Sequence, residues 1–170
     1  MKQVNWFDRK FDFQDNQNIF PSIIERLTGT PIRLEEKLNG VAESVLIASA
    51  DNSWTIKQNI GHLIDLEPLW QGRLEDILNN RLEFRPADLQ NTKTHFANHN
   101  DLPLKELLSG FRKIRLQTIT QIREIDDEII FKSALHPRLK TPMRTMDHFL
   151  FVVEHDDHHL SRISQLLAIR

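Results

Sequence analysis

The sequence predicts an all-α protein, a four-helix bundle with long crossover connections, on three observations. Four long stretches carry apolar residues at i, i+3, i+4 spacing, the mark of amphipathic helices. Strand signals are weak, because Tyr is absent and few β-branched runs alternate with period two. Gly (5) and Pro (7) are sparse, and no repeat or low-complexity segment interrupts the pattern. At 170 residues the chain suits one domain over residues 1–170, long enough to bury a sizeable core.

Residues 1–18 mix aromatics (Trp6, Phe7, Phe11, Phe13) with charges and read as an ordered arm over the bundle, with a short helix in it. The first helix starts near Phe20-Pro21, where Pro is tolerated in a first turn. It is expected to break at Gly29-Thr30-Pro31, resume through Leu38, and stop at Asn39-Gly40. Residues 41–49 hold another helical turn or two before a break at Asp51-Asn52-Ser53. Thr55 and Gln58 have capping-box spacing and open a second long helix over 56–81, with Ile56, Ile60, Leu63, Leu66 and Trp70 as its buried stripe. Pro68 is expected to kink it or end its first segment. Residues 81–100 are a polar connection. The third long helix covers 102–125, capped by Asn100 or Asp101, with a stripe from Leu104 to Ile122. Pro137 and Pro142 break the last connection, and the final helix covers 145–170.

Charge and composition exclude several function classes. The 22 basic residues nearly balance the 24 acidic ones, for a net charge of −2, which gives no electrostatic case for nucleic acid or an anionic membrane. The chain has no Cys, so disulfides, thiolate nucleophiles and Cys-type zinc sites are excluded. Neither a signal peptide nor a membrane span is expected, and a cytoplasmic location is the default expectation.

The chemistry concentrates in histidine. His155 and His159 are four apart in the last helix, so they share a face one turn apart. Counted at about 100° per residue, they lie on the shoulder of the apolar face built by Phe149, Val152, Val153, Leu160, Ile163 and Leu167. His62 has the same shoulder placement on the second long helix. Three imidazoles plus an open position are what a catalytic Zn²⁺ site uses, so His62, His155 and His159 are the candidate metal ligands. His158 points elsewhere and reads as a surface or supporting residue. His148 shares the face of His155 but lies two turns away. His95 and His99 lie in the polar connection and read as exposed, while His136, before Pro137, reads as structural. Asp65, Asp156 and Asp157 are candidates to orient imidazole N–H groups. Trp6, Trp54 and Trp70 read as packing residues rather than a substrate cage.

Two metalloenzyme patterns fail. In His155-Asp156-Asp157-His158-His159 an Asp stands where a zincin needs Glu, and no third ligand follows. No E-x-x-H is present for a di-iron bundle. A nitrogen-rich set favours Zn²⁺ or Ni²⁺ instead.

Nearly the whole chain resembles the DinB/YfiT-like superfamily of metal-binding four-helix bundles, in its metal-dependent hydrolase and thiol-transferase branch. The resemblance rests on FDRKFDF, FPSIIERLTGTPIRLEE, WTIKQNIGHLIDLE around His62 and EHDDHHLSRISQLL at the end. Where many relatives have Gly-Gln after the last His pair, this chain has Ser161-Arg162. The resemblance implies an up-down-down-up bundle with one divalent ion on His62, His155 and His159. It implies transfer of a low-molecular-weight thiol, such as bacillithiol or mycothiol, to an electrophilic small-molecule substrate. A homodimer is the family's expectation. Hydrolysis of a small substrate and a non-catalytic, metal-stapled stress-response or binding bundle are the alternatives.

Overall fold

The computed structural model describes residues 4–11, 13, 17–49 and 53–169. Its four long helices are α1 (Phe20–Leu38), α3 (Ile56–Leu78), α5 (Leu104–Arg123) and α7 (Thr145–Ala168). Short helices α2 (Glu43–Leu46), α4 (Thr92–Phe96) and α6 (Asp127–Phe131) sit in the connections, with 3₁₀ turns at Trp6–Asp8 and His99–Asp101. The break expected at Asp51-Asn52 and parts of the N-terminal arm lie outside the described residues.

Side-chain pairs give the topology. Thr55 meets Asn100, Glu67 meets Arg115 and Gln71 meets Thr118, so α3 and α5 run parallel. Arg26 meets Glu154, Thr30 meets Asp156 and Lys37 meets Ser164, so α1 and α7 are parallel too. Asn59 meets His159 while Trp70 meets His148, so α3 and α7 are antiparallel. The order is up-down-down-up. Each helix packs on two neighbours, with α1 diagonal to α3.

Local chemistry explains the start of α3 and the end of α1. The capping box forms as read: Thr55 Oγ1 accepts from the Gln58 N–H at 3.1 Å and Gln58 Oε1 from the Thr55 N–H at 3.0 Å. Gly40 (φ 72°) supplies the left-handed residue that ends α1. Several expected boundaries differ. The first helix does not break at Pro31, and the second does not end a segment at Pro68; both run through. Around Pro31, seven buried side chains hold α1 to its neighbours. Packing of this kind outweighs a proline penalty of about 3 kcal/mol. Pro68 lies on the exposed side of α3. Asn100 and Asp101 do not cap α5; they form the 3₁₀ turn, and α5 starts after Pro103.

The last connection folds into α6 and a hairpin of β1 (Ser133–Leu135) and β2 (Pro142–Arg144), paired Ala134 to Met143. Phe84 N–H donates to the Leu135 carbonyl at 3.0 Å, docking the chain after α3 on this hairpin. The N-terminal arm lies on α7, with Trp6 and Phe11 against Phe151 at ring separations of 4.9 and 5.0 Å. Among the described residues, no helix is long and apolar enough to cross a membrane.

The apolar core is two clusters, one around Phe20, Trp70, Ile119 and Phe149, the other around Leu34, Ile60, Phe111 and Ile163. Between them lies a buried polar belt. Arg115 donates to Glu67 at 2.7 Å and to Asp156 at 2.6 and 3.0 Å. Thr30 donates to Asp156 at 2.9 Å, and Thr118 to Glu67. Burial pushes the Glu67 pKa up, and the Arg115 guanidinium opposes that push. Arg115→Met would strand two buried carboxylates. It should cost about 3–5 kcal/mol in urea unfolding, with a smaller loss in the Glu67→Met/Arg115→Met/Asp156→Leu triple variant.

His148, fully buried, donates through Nε2 to the Trp70 carbonyl at 3.2 Å. Burial and then the Arg73 charge lower its pKa from 6.5 to about 3. The unfolded chain therefore takes up this proton first, and stability is lost as pH falls from about 6.5 toward 3. Melting curves of metal-free protein from pH 7 to 4.5 should show a falling Tm. His148→Gln should flatten the decline by up to about 1.4 kcal/mol per pH unit.

Candidate metal centre

His62 is on α3, and His155 and His159 are one turn apart on α7. The antiparallel packing of these helices brings all three imidazoles together, each offering a nitrogen within 4.8 Å of the others. Their ring centroids are 4.5 to 5.3 Å apart. All three are buried, at 4–5% exposure. Burial lowers the His62 pKa to about 4 and those of His155 and His159 well below the usual value, the neighbouring imidazoles adding to the effect. Neutral imidazole is the form that binds metal.

Hydrogen bonds fix the tautomers. Thr94 Oγ1 donates to Asp65 at 3.0 Å, so it accepts from His62 Nδ1–H, also at 3.0 Å. Asn59 Oδ1 accepts from His159 Nδ1–H at 2.8 Å. In both rings Nε2 keeps its lone pair. His155 Nε2 lies 3.2 Å from His159 Nε2, where a proton on His155 makes a hydrogen bond between them, and the same spacing suits two nitrogens on one ion. The donor set fits a divalent ion, and the orienting bonds are of the kind that support metal-ligating histidines.

Asp65 organises this support. Burial works to raise its pKa, but hydrogen bonds from His99 and Thr94 outweigh that and hold it below the usual carboxylate range. His99 lies 2.8 Å from Asp65, and Lys93 lies 3.3 Å from it. A Cβ at Gly61 would come within 2.2 Å of the His99 ring, so glycine is needed there for the crossover to approach α3. His99 is thus buried at 7% exposure, not exposed as the polar composition of its connection suggests. His95 is exposed.

Other expectations divide. Asp65 supports His62 through Thr94. Asp156 does not face the imidazoles but pairs with Arg115, and Asp157 pairs with Arg26 and Arg33. His148 bonds the Trp70 carbonyl, away from the triad. His158 is half-buried beside Trp6, 5.7 Å between rings. The tryptophans pack, but they also wall a cavity of about 870 Å³ beside the triad. Trp54 lies 4.6 Å from His62 and stacks on His159 at 6.1 Å, and Trp6 meets His155 edge-on at 4.9 Å. Thr94 and Asn59 were not read from the sequence; only Asn59, three residues before His62, carried a local signal.

Protein purified without chelator should carry about one divalent ion per chain by elemental analysis. His62→Ala, His155→Ala and His159→Ala should each lose it, whereas His158→Ala and His95→Ala should retain it. Thr94→Val should weaken metal affinity about 10- to 100-fold, and Gly61→Ala should act in the same direction by displacing His99. Full occupancy in all three ligand variants would remove the site.

No curated protein matches the sequence. Among solved structures, the fold is similar to YfiT from Bacillus subtilis, at a TM-score of 0.80 and 19% identity over 93% of this chain and 91% of that one. YfiT is described as a probable metal-dependent hydrolase with an unusual four-helix bundle topology. A Streptococcus pneumoniae protein has a TM-score of 0.71 at 12% identity, covering 91% of this chain and 93% of its own. An uncharacterised Clostridium difficile 630 protein has 0.68 at 15%, covering 91% and 99%. These likenesses concern the fold. The sequence profile of the DinB superfamily matches residues 26–163, which takes in α3, α5, most of α1 and α7 and the three histidines, and the chain belongs to that superfamily.

Proposed function

We propose that this chain is a divalent-metal-dependent enzyme in which His62, His155 and His159 hold the ion and a low-molecular-weight thiol is transferred to an electrophile in the adjoining cavity. The observation that carries this reading is the convergence of three buried, neutral imidazoles on the wall of that cavity. A nitrogen-only ligand set suits Zn²⁺ or Ni²⁺. When bound, such an ion stabilises a ligated anion and so lowers the pKa of the parent thiol or water.

The chain's own residues supply binding and orientation. Asn59 and Thr94 hold His159 and His62 with Nε2 turned inward. Trp6, Trp54, Leu66, Leu69 and Phe151 give the electrophile an apolar wall that excludes water. Arg162 is the charged side chain on the His158 side of that wall.

A thiol is favoured over water by the acid content of the wall. Among the described lining residues the only carboxylate is Asp88, and its oxygens accept the backbone N–H groups of Gln90 and Thr92. A thiol, with a free pKa of about 8.5, needs far less help to ionise than water does. The chain has no Cys, so the thiol comes from solution.

Hydrolysis of a small substrate is the second reading, favoured by the description of the structurally similar YfiT. On that reading His158, whose pKa is lowered by burial and then by Arg9 and Arg162, is the imidazole outside the ligand set that can accept a proton.

Cobalt substitution separates the two. Adding bacillithiol, mycothiol, coenzyme A or glutathione to the Co²⁺ protein near pH 7 should give an intense sulfur-to-metal charge-transfer band with at least one of them. His159→Ala should abolish the band and His95→Ala should leave it. With no band and no turnover of electrophiles across the panel, hydrolysis becomes the leading activity.

A further inference from the structure

Beyond Trp70, away from the triad, the same cavity is lined by Arg73, His136 and Arg138. Arg73 is 1% exposed and forms no ion pair among the described residues; the Asp76 carboxylate one turn on favours its charge but is bonded to Arg85. Its Nε donates to the Arg85 carbonyl at 3.3 Å, and its guanidinium lies 5.6 Å from both the Trp70 and Phe84 rings. A buried cation whose neighbouring carboxylate is held by another arginine is only partly compensated.

The neighbour of Arg73 sharpens the point. His136, 3% exposed, accepts the backbone N–H groups of Arg138 and Leu139 on Nδ1, at 3.2 and 3.1 Å. Nδ1 therefore has no proton, and Nε2 carries it. That Nε2 lies 3.2 Å from Arg73 Nη1, which is also a donor. Two buried N–H donors thus face each other with no acceptor between them, while Arg138 adds a second positive charge on the same wall. Burial and the two arginines lower the His136 pKa to about 4, which keeps the ring neutral.

We propose that this end of the cavity is a carboxylate-binding subsite, in which Arg73 Nη1 and His136 Nε2 each donate to one oxygen of an elongated small organic acid. Paired N–H donors match the two oxygens of a carboxylate. Arg73 follows His62 by eleven residues on α3, about 16 Å of helical rise, so an extended ligand can hold its acid here while its other end reaches the triad. The inference rests on the cavity being the substrate site, and not on the metal or on which nucleophile is used.

The test is calorimetric titration of the purified protein with 4-phenylbutyrate, 4-phenylbutan-1-ol and 3-phenylpropylphosphonate. The acid should bind about 10- to 100-fold more tightly than the alcohol, the span expected for hydrogen bonds to a charged group. Arg73→Met should erase that difference while leaving the alcohol unchanged. In His62→Ala/His155→Ala the difference should persist, even where metal content and the thiol band are lost. Equal binding of acid and alcohol, no binding of either, tighter binding of the phosphonate, or loss of the preference in the double histidine variant would each overturn the proposal. If Arg73→Met does not fold, the wild-type comparison and the double variant still decide it.

Discussion

Arg115 and its two carboxylates are the constraint on which the remaining structure depends. Each long helix passes from one apolar cluster to the other at the level of this belt, α1 at Thr30, α3 at Glu67, α5 at Arg115 and Thr118, and α7 at Asp156. Apolar packing alone tolerates a helix that slides or rotates, because one leucine fills a gap much as another does. A buried guanidinium with two carboxylates does not, since any shift would leave a charge unpaired in a dry interior. The belt therefore sets helix register as well as rotation.

That rotation aims the histidines. Successive helix residues point about 100° apart. With Asp156 held on Arg115 and Thr30, and Asp157 held on Arg26 and Arg33 of α1, the residue just before them, His155, is turned toward α3, and His159 follows one turn on. The polar residues of EHDDHH thus divide by direction. Glu154 and Asp157 meet arginines near the surface, Asp156 meets Arg115 in the centre, and His155 and His159 meet His62.

Burial acts in opposite senses at the two ends of the cavity. At the triad it keeps three imidazoles neutral, with the outer nitrogens of His62 and His159 held by Thr94 and Asn59 so that their lone pairs turn inward. At the far end it confines a guanidinium and lowers its pKa only to about 10, so Arg73 stays charged at neutral pH. Trp70 stands between, 5.7 Å from the His155 ring and 5.6 Å from the Arg73 guanidinium. The cavity is consequently polar at its ends and apolar along its wall.

The sequence by itself determined what local periodicity can carry. The four long helices, the Thr55 capping box, the apolar face of the last helix and the shoulder placement of His62, His155 and His159 are all set by spacing within a few turns. Tertiary structure decided whatever depends on partners far apart in the chain. Whether Asp156 would orient an imidazole or neutralise an arginine depended on which helix lay beside it, and the choice fell to Arg115, 41 residues away. His99 and Thr94 come from a crossover with no periodic pattern, and the parallel run of α3 and α5 forces that crossover back over His62. Arg73 and His136, 63 residues apart, meet only because the hairpin docks against the chain leaving α3. The physical reason is common to these cases. Backbone geometry repeats every 3.6 residues and can be read along the chain, whereas a buried polar group is satisfied by whatever the topology brings within about 3 Å.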